Sequence, residues 1–178
     1  MRAFWFEPAD GKLQYGDGRM PSTGEIHTVK GNLALCTFGL HASVRAIDAL
    51  KYAQSNIVWL VELSGNIVES EDKCCATERK YIKRLDAESI LFECSCRFAL
   101  SVAHLWNMPP VVRQFLETGD RSLKSEAWSA ARSAEAATAA AWSAAAAWSA
   151  WSAAETRSAE AQNDLLQTLI LKAMGECE

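Results

Sequence analysis

A histidine and a serine, His41 and Ser43, lie where an apolar run of strand length, residues 33–38, gives way to a segment of helical periodicity, residues 41–53. A strand-to-helix junction presents polar side chains and unpaired backbone N–H groups at the edge of a sheet, which suits contact with an anion or a nucleotide. The alternative is structural: the two side chains only hold the turn, with Ser43 as the helix N-cap. We favour this alternative because serine is so common as a cap.

A carboxylate, Glu62, lies inside the apolar run IVWLVEL, residues 57–63, which is the clearest predicted strand of the chain. Strand alternation places Glu62 on the face of Leu60 and Ser64, opposite Trp59. Glu62 is then either a catalytic carboxylate in a cleft or an exposed residue on the polar face of the sheet. We favour the exposed position.

The sequence contains no complete catalytic or metal-binding motif. The pairs Cys74-Cys75 and Cys94-x-Cys96 lack the C-x₂₋₄-C spacing typical of structural zinc sites, because neighbouring cysteines cannot easily face one ion. Nucleophile-elbow, phosphate-loop and H-E-x-x-H patterns are missing as well. We therefore expect free thiols, no metal and no cofactor, and we favour a protein that is not an enzyme.

An alanine-rich tract, residues 126–162, predicts a long helical region, because alanine is the best helix former and neither Gly nor Pro interrupts it. On a helical wheel its four tryptophans fall on two opposite faces. One straight helix would therefore need cover on two sides, so we predict a hairpin or bundle with a reversal near residues 143–156. The candidate partner-binding residues of the tract are Trp128, Arg132, Trp142, Trp148 and Trp151.

The rest of the pattern predicts an α+β protein. Short apolar runs between Gly and Pro turns indicate strands in the first half, beginning with Phe4–Phe6. From Asp86 helical spacing dominates, and Pro109-Pro110 ends one helix and begins the next. We predict a small mixed sheet domain over residues 1–85, followed by an alanine-rich helical hairpin or bundle over residues 86–178.

The charge balance and the apolar runs exclude two classes of partner. The net charge of −4 and the pI of about 5.5 argue against direct nucleic-acid binding, which usually needs a basic patch. The first apolar run is too short for a signal peptide, and no run reaches the ~18 apolar residues of a membrane span. We expect a cytoplasmic protein that does not enter membranes.

Several segments resemble, in this order, a group of uncharacterised proteins common in phage and prophage genomes. They are CTFGLHAS, AIDALKYA, VWLVELSG, EDKCCATERKYIKRLDAESIL and CRFALSVAHLWNMPPVVRQFLETGD, followed by the alanine/tryptophan tract. The similarity spans most of residues 30–175. It implies a GLHAS-type α/β N-terminal half, an Ala/Trp-rich helical C-terminal half and a phage or prophage setting, but no particular reaction.

The turn GLHAS, with a following helix that ends in Tyr52, is also similar to the nucleotide-binding edge of ADP-ribosyltransferase-like folds. That resemblance implies that His41, Ser43 and Tyr52 face a nicotinamide nucleotide. It also implies that Glu62 is the catalytic carboxylate.

Three functional hypotheses follow. The favoured one is a non-enzymatic phage protein that binds a host protein, in its concrete form an anti-defence, anti-CRISPR-like inhibitor. The second is an ADP-ribosyltransferase-like enzyme that uses a nicotinamide nucleotide. The third is a self-associating structural protein whose alanine helices pack between chains, since large apolar patches are seldom uncovered in a monomer.

Overall fold

The computed structural model describes residues 1–14, 17–101, 103–139 and 148–176, without the side chains of residues 105, 135–139 and 148–159. It divides into two compact units, Met1–Ile90 with Asn163–Glu178, and Leu91–Gln162. Strands lie in the first unit and helices make up the second. The predicted α+β class is confirmed.

The first unit is built around one antiparallel sheet. Its strands are β1 (Arg2–Phe6), β2 (Ile26–Thr28), β3 (Leu40–Ala42), β4 (Ile57–Glu69) and β5 (Cys74–Asp86), and the short helix α1 (Ala46–Leu50) precedes β4. Each pairing in the described residues is antiparallel, so the sheet is not the mixed sheet that we predicted. The physical reason is that a tight turn joins β4 to β5, which makes the two strands an antiparallel hairpin. The shorter strands β1, β2 and β3 then pair with this hairpin in antiparallel orientation.

The strands curve until two of them meet. β4 and β5 form the centre, β1 pairs with β4, and both β2 and β3 pair with β5. Just after β3, Ser43 exchanges backbone hydrogen bonds of 2.7 and 2.9 Å with Phe4 of β1. The enclosed face carries one hydrophobic core cluster of the unit, which contains Ala3, Ala42, Trp59, Val61, Leu63, Cys74, Ala76 and Tyr81.

The central strand β4 is longer than its sequence pattern predicts. The apolar run predicts a strand over residues 57–63, yet β4 continues to Glu69 through a shift in register between Ser64 and Ile67. Gly65 permits this because its φ is +74°, and a Cβ there would collide with the Thr77 side chain.

The segment around His41 differs from its prediction. Residues 33–38 form a tight turn between Ala34 and Phe38 rather than a strand, and His41 lies in β3. Helix α1 begins only at Ala46, and its N-cap position is Arg45 without a side-chain cap bond. The predicted capping role of Ser43 is therefore wrong, because its backbone pairs with β1 instead.

The C-terminal residues pack within the first unit. They belong to the long helix α5 (Trp148–Met174), in which Leu166, Ile170 and Met174 are buried at a spacing of four residues. Lys83 of β5 donates a 2.6 Å hydrogen bond to the Met174 carbonyl. The predicted division at residues 85/86 thus lies near the change from sheet to helix, but residues 163–176 return to the sheet unit.

The second unit contains α2 (Glu88–Ser101, which begins in the first unit), α3 (Pro110–Thr118) and α4 (Lys124–Ala139), with short 3-10 turns at Ala103–Leu105 and Arg121–Leu123. Pro110 begins α3, and Gly119 ends it with φ of +66°. The predicted helical tract is confirmed over α4 and α5. Of the reversal predicted near residues 143–156, residues 148–156 are helical in α5, and residues 143–147 lie outside the described residues.

Candidate functional site

A cleft of about 480 Å³ opens in the first unit beside β1, β3 and the end of α1. Its apolar lining includes the β1 residues Phe4, Trp5 and Phe6. Polar side chains come from β3, from the turn before it, from the end of α1, from the turn between β4 and β5 and from the segment between β1 and β2. These polar residues are Gln14, Cys36, His41, Ser43, Lys51, Tyr52, Gln54 and Lys73.

His41 is half-buried in the cleft and is held on both sides. Its Nε2 accepts a 3.0 Å hydrogen bond from the Cys36 backbone N–H, and its carbonyl accepts a 2.6 Å hydrogen bond from Arg79. Burial lowers the pKa of His41, against the opposing effect of a hydrogen bond to the Gly39 backbone. The ring is therefore neutral at pH 7 and acts as an acceptor toward Cys36.

An exposed thiol and an ammonium group meet at the mouth of the cleft. Cys36 adopts φ of +65°, a conformation that non-glycine residues rarely take. Its side chain lies beside Lys73, and this contact, together with one to Tyr52, raises the pKa of Lys73. Lys73 is thus fully charged where the cleft meets solvent.

Tyr52 stands on the rim among charged neighbours. Its hydroxyl donates a 2.7 Å hydrogen bond to Asp72 and accepts a 3.3 Å bond from Lys73. Lys51 lies 2.9 Å from Asp48 and 3.9 Å from Asp72. At the rim Lys51 therefore pairs with both carboxylates, while Lys73 bonds to the Tyr52 hydroxyl. Both lysines line the cleft, where they are placed to meet an anionic group that enters it.

The structure brings together three of the four residues expected at a nucleotide site. His41, Ser43 and Tyr52 all line the cleft, although Ser43 is buried and acts mainly through its backbone. Glu62 does not line it. It is exposed on β4, opposite Arg2 and Lys80 in the neighbouring strands. Alternation along β4 sets this position, as the sequence pattern predicts.

The candidate partner-binding residues divide into those that the structure describes and those that it does not. Trp128 and Arg132 are both exposed on α4. Trp142 lies outside the described residues. Trp148 and Trp151 belong to α5, but their side chains are not among those that the structure describes.

The described residues contain no group of three or more His, Cys, Asp or Glu side chains that could hold a metal ion. Cys74, Cys75, Cys94 and Cys96 are buried, and burial raises the pKa of each thiol, to about 11 for Cys74. None of the described helices is long and apolar enough to cross a membrane.

Sequence reasoning missed five polar residues of the cleft, which are Gln14, Cys36, Lys51, Gln54 and Lys73. Cys36 and Lys73 are far apart in the chain, and β3 and β5 bring them together. The one local signal was the turn chemistry of LCTFG, where a tight turn favours unusual backbone angles. Lys73 follows an acidic turn and carries no motif that indicates a site.

Comparison with known proteins gives a match to part of the chain. No curated protein and no solved structure matches this chain. The matched segment, residues 12–93, holds all eight polar residues that line the cleft, and it excludes β1 and α4. Residues 12–93 are similar to a family described only as a domain of unknown function (DUF7666).

Proposed function

We propose that the protein binds another protein through one face of α4. This face, the Trp128 stripe, consists of Lys124, Trp128 and Arg132, which lie four residues apart and are all exposed. The observation that carries the proposal is the exposure of Trp128, which presents 66% of its surface to solvent. Tryptophan is rarely left so open, and it is among the commonest anchors of protein interfaces.

The opposite face of α4 already has its packing partners. Ala127, Ala130 and Ala131 pack with Met108 and Val112 in the hydrophobic core of the second unit. The helix is therefore held in place without Trp128. An exposed indole between two cations suits a protein surface that offers an apolar pocket flanked by carboxylates.

The setting of the interaction rests on the resemblance to phage and prophage proteins. In that setting the partner is a host protein in the host cytoplasm, and the specific form is an inhibitor of a host defence system, anti-CRISPR-like in action. Such a protein works by occupying a surface and needs neither a cofactor nor turnover. Its acidic charge balance suits a protein partner better than nucleic acid.

Replacing Trp128 with alanine is expected to weaken the complex by about 30-fold or more, because a central Trp anchor contributes ~2 kcal/mol or more. A partner is first isolated from host lysate with the full chain, purified, and then titrated calorimetrically with wild type and variants. Tyr52→Ala is the matched control, since it also removes an exposed aromatic ring, at the cleft. Equal affinity of Trp128→Ala and wild type contradicts the proposal.

A concentration-dependent dimer in sedimentation experiments that Trp128→Ala abolishes would favour a different partner, a second copy of this chain. The third hypothesis, self-association, would then replace host-protein binding.

We also propose, as a second candidate function, that the cleft binds a nucleotide. The specific observation in its favour is that His41, Ser43 and Tyr52 line one cleft of about 480 Å³ with Lys51 and Lys73 at its rim. Aromatic lining suits a base, and lysines suit a phosphate. Glu62 lies outside this cleft, so binding without transfer is the simpler form of the proposal.

Titration with a nicotinamide dinucleotide is expected to give saturable heat. Tyr52→Ala is expected to lower the affinity at least ~10-fold, since stacking on an aromatic ring contributes about 1–3 kcal/mol per base. Glu62→Gln is the control and is expected to bind as wild type does. Transfer of label from the nucleotide to a protein, lost in Glu62→Gln, would instead establish the ADP-ribosyltransferase hypothesis. No saturable heat would contradict both forms.

A further inference from the structure

Arg79 is a buried cation in the middle of β5. Only 2% of its surface is exposed, and it lies opposite Leu63 of β4 and His27 of β2. Buried guanidinium groups are almost always paired with a carboxylate or another anion, because removal of the charge from water is otherwise costly. Within the described part of the chain, Arg79 has no carboxylate within ion-pair distance.

The hydrogen bonds of Arg79 all go to neutral acceptors. Nε and Nη2 donate to the Tyr81 hydroxyl at 3.1 and 2.7 Å, and Nη1 donates to the His41 carbonyl at 2.6 Å. The guanidinium also lies 4.1 Å from the centre of the Trp5 ring. Arginine has five N–H groups, so one on each terminal nitrogen has no acceptor among the described residues.

The Tyr81 hydroxyl is uncharged, so it does not neutralise the charge of Arg79 but links the guanidinium to His27 and Glu25. Since it accepts from Arg79, its own hydrogen points to His27 Nδ1, 3.0 Å away. The other ring nitrogen of His27 lies 3.0 Å from a carboxylate oxygen of Glu25. The nearest balancing charge along this chain of groups is therefore two side chains away from the guanidinium.

A cavity of about 290 Å³ lies against Arg79. Trp5, Gln14 and His41 separate it from the larger cleft, since they line both. Thr37 lines the cavity and is exposed, so the cavity opens to solvent there. Asp17 also lines it, but Arg19 binds that carboxylate through two hydrogen bonds of 2.6 Å. The Asp17–Arg19 pair is neutral overall, and Arg79 supplies the net charge.

We propose that this cavity binds a small oxyanionic group, a carboxylate or a phosphate, on Arg79. Two oxygens of the anion accept the two remaining N–H groups of the guanidinium, in the forked geometry that arginine offers to both chemistries. The anion supplies the charge that the protein interior lacks at this point. The site depends neither on the Trp128 stripe nor on nucleotide binding in the cleft.

The test uses the full ¹⁵N-labelled chain and follows the Arg79 Nε–H signal by NMR. Sodium phosphate and sodium acetate are titrated separately at constant ionic strength, with sodium chloride as the ionic-strength control. A saturable shift of the Arg79 signal with either oxyanion, and none with chloride, is expected. Saturation by phosphate alone assigns the site to phosphate groups, and saturation by acetate alone assigns it to carboxylates. No saturable shift with either anion overturns the proposal.

Two variants and one control locate the site. Arg79→Lys lacks the Arg79 Nε–H signal, so its titration is followed through the backbone amide signals of His41 and Tyr81, which contact Arg79. It is expected to weaken binding at least ~10-fold, because an ammonium cannot form the fork. Thr37→Trp places an indole at the opening, where Gln14 and Phe38 are also exposed, and it is expected to weaken binding while the guanidinium stays in place. It is the test variant if Arg79→Lys does not fold. The control is Arg84→Lys on the same strand, whose charge is paired with Glu7 at 3.1 Å, and it is expected to bind as wild type does. Wild-type affinity in Thr37→Trp places the anion elsewhere and refutes the proposal.

Discussion

Replacement of Trp59 with alanine is expected to lower the free energy of unfolding of the first unit by about 3–5 kcal/mol, the usual cost of removing a large buried aromatic side chain. The indole is 1% exposed in the sheet core, where it packs edge-on against Tyr81 with ring centres 5.2 Å apart. Its N–H also donates a 2.7 Å hydrogen bond to buried Glu7. Urea denaturation followed through the NMR amide signals of β4 measures the change.

The matched control is the same substitution at Trp128. Because that side chain is 66% exposed, Trp128→Ala is expected to change the free energy of unfolding of the second unit, followed through the amide signals of α4, by no more than about 0.5 kcal/mol. The two variants together separate a structural tryptophan from a binding one. A similar loss in both would mean that the Trp128 stripe packs inside the protein, and the proposed protein interface would have to be abandoned.

Replacement of Tyr81 with phenylalanine is expected to destabilise the first unit by about 2–4 kcal/mol, although it removes only one oxygen atom. That oxygen accepts two N–H groups of Arg79 and donates to His27. Its loss leaves buried donors of a charged group without an acceptor, which costs more than the loss of an ordinary hydrogen bond. The ring itself stays in place, so packing changes little. Urea titration with circular dichroism detection gives the value.

Tyr52→Phe provides the control for the loss of a hydroxyl. Tyr52 is exposed, and its hydroxyl bonds to Asp72 and Lys73 at the surface, where water replaces the lost partners. We expect a much smaller effect than at Tyr81. If the two variants lose equal free energy of unfolding, then the Arg79 N–H groups bond to other acceptors in Tyr81→Phe. The stability of the first unit then does not depend on the Tyr81 hydroxyl.

Local patterns in the sequence predicted the parts of the fold that local physics determines. Alternation in IVWLVEL predicts a strand with Trp59 inward and Glu62 outward, and both positions are confirmed. Pro110 and Gly119 mark the two ends of α3, because each has a backbone preference that acts within one turn of helix.

The parts that were missed depend on contacts between distant residues. His41 belongs to a strand because Cys75, far along the chain, pairs with it. Ser43 has the right residue type for a helix cap, but Phe4 takes up its backbone groups. Arg79 sits in the polar run TERKY and looks like a surface residue, since nothing local indicates that Trp5 and Tyr81 enclose it. Hydrophobic periodicity within a segment does not indicate which distant segments pack over it in the folded protein.

The β4–β5 hairpin has a consequence for the order in which the chain acquires structure. Its two strands are joined by a short turn, so their pairing closes a small loop and forms quickly. β1 and the end of α5 come from remote parts of the chain, as the pairing of Arg2 with Glu62 and the contact of Lys83 with Met174 illustrate. Until these segments arrive, the hairpin exposes open strand edges, which are sites of aggregation. β1 is synthesised before β4 and is separated from it by roughly sixty residues. During synthesis the outer edge of β4 is therefore protected only once β1 has paired with it.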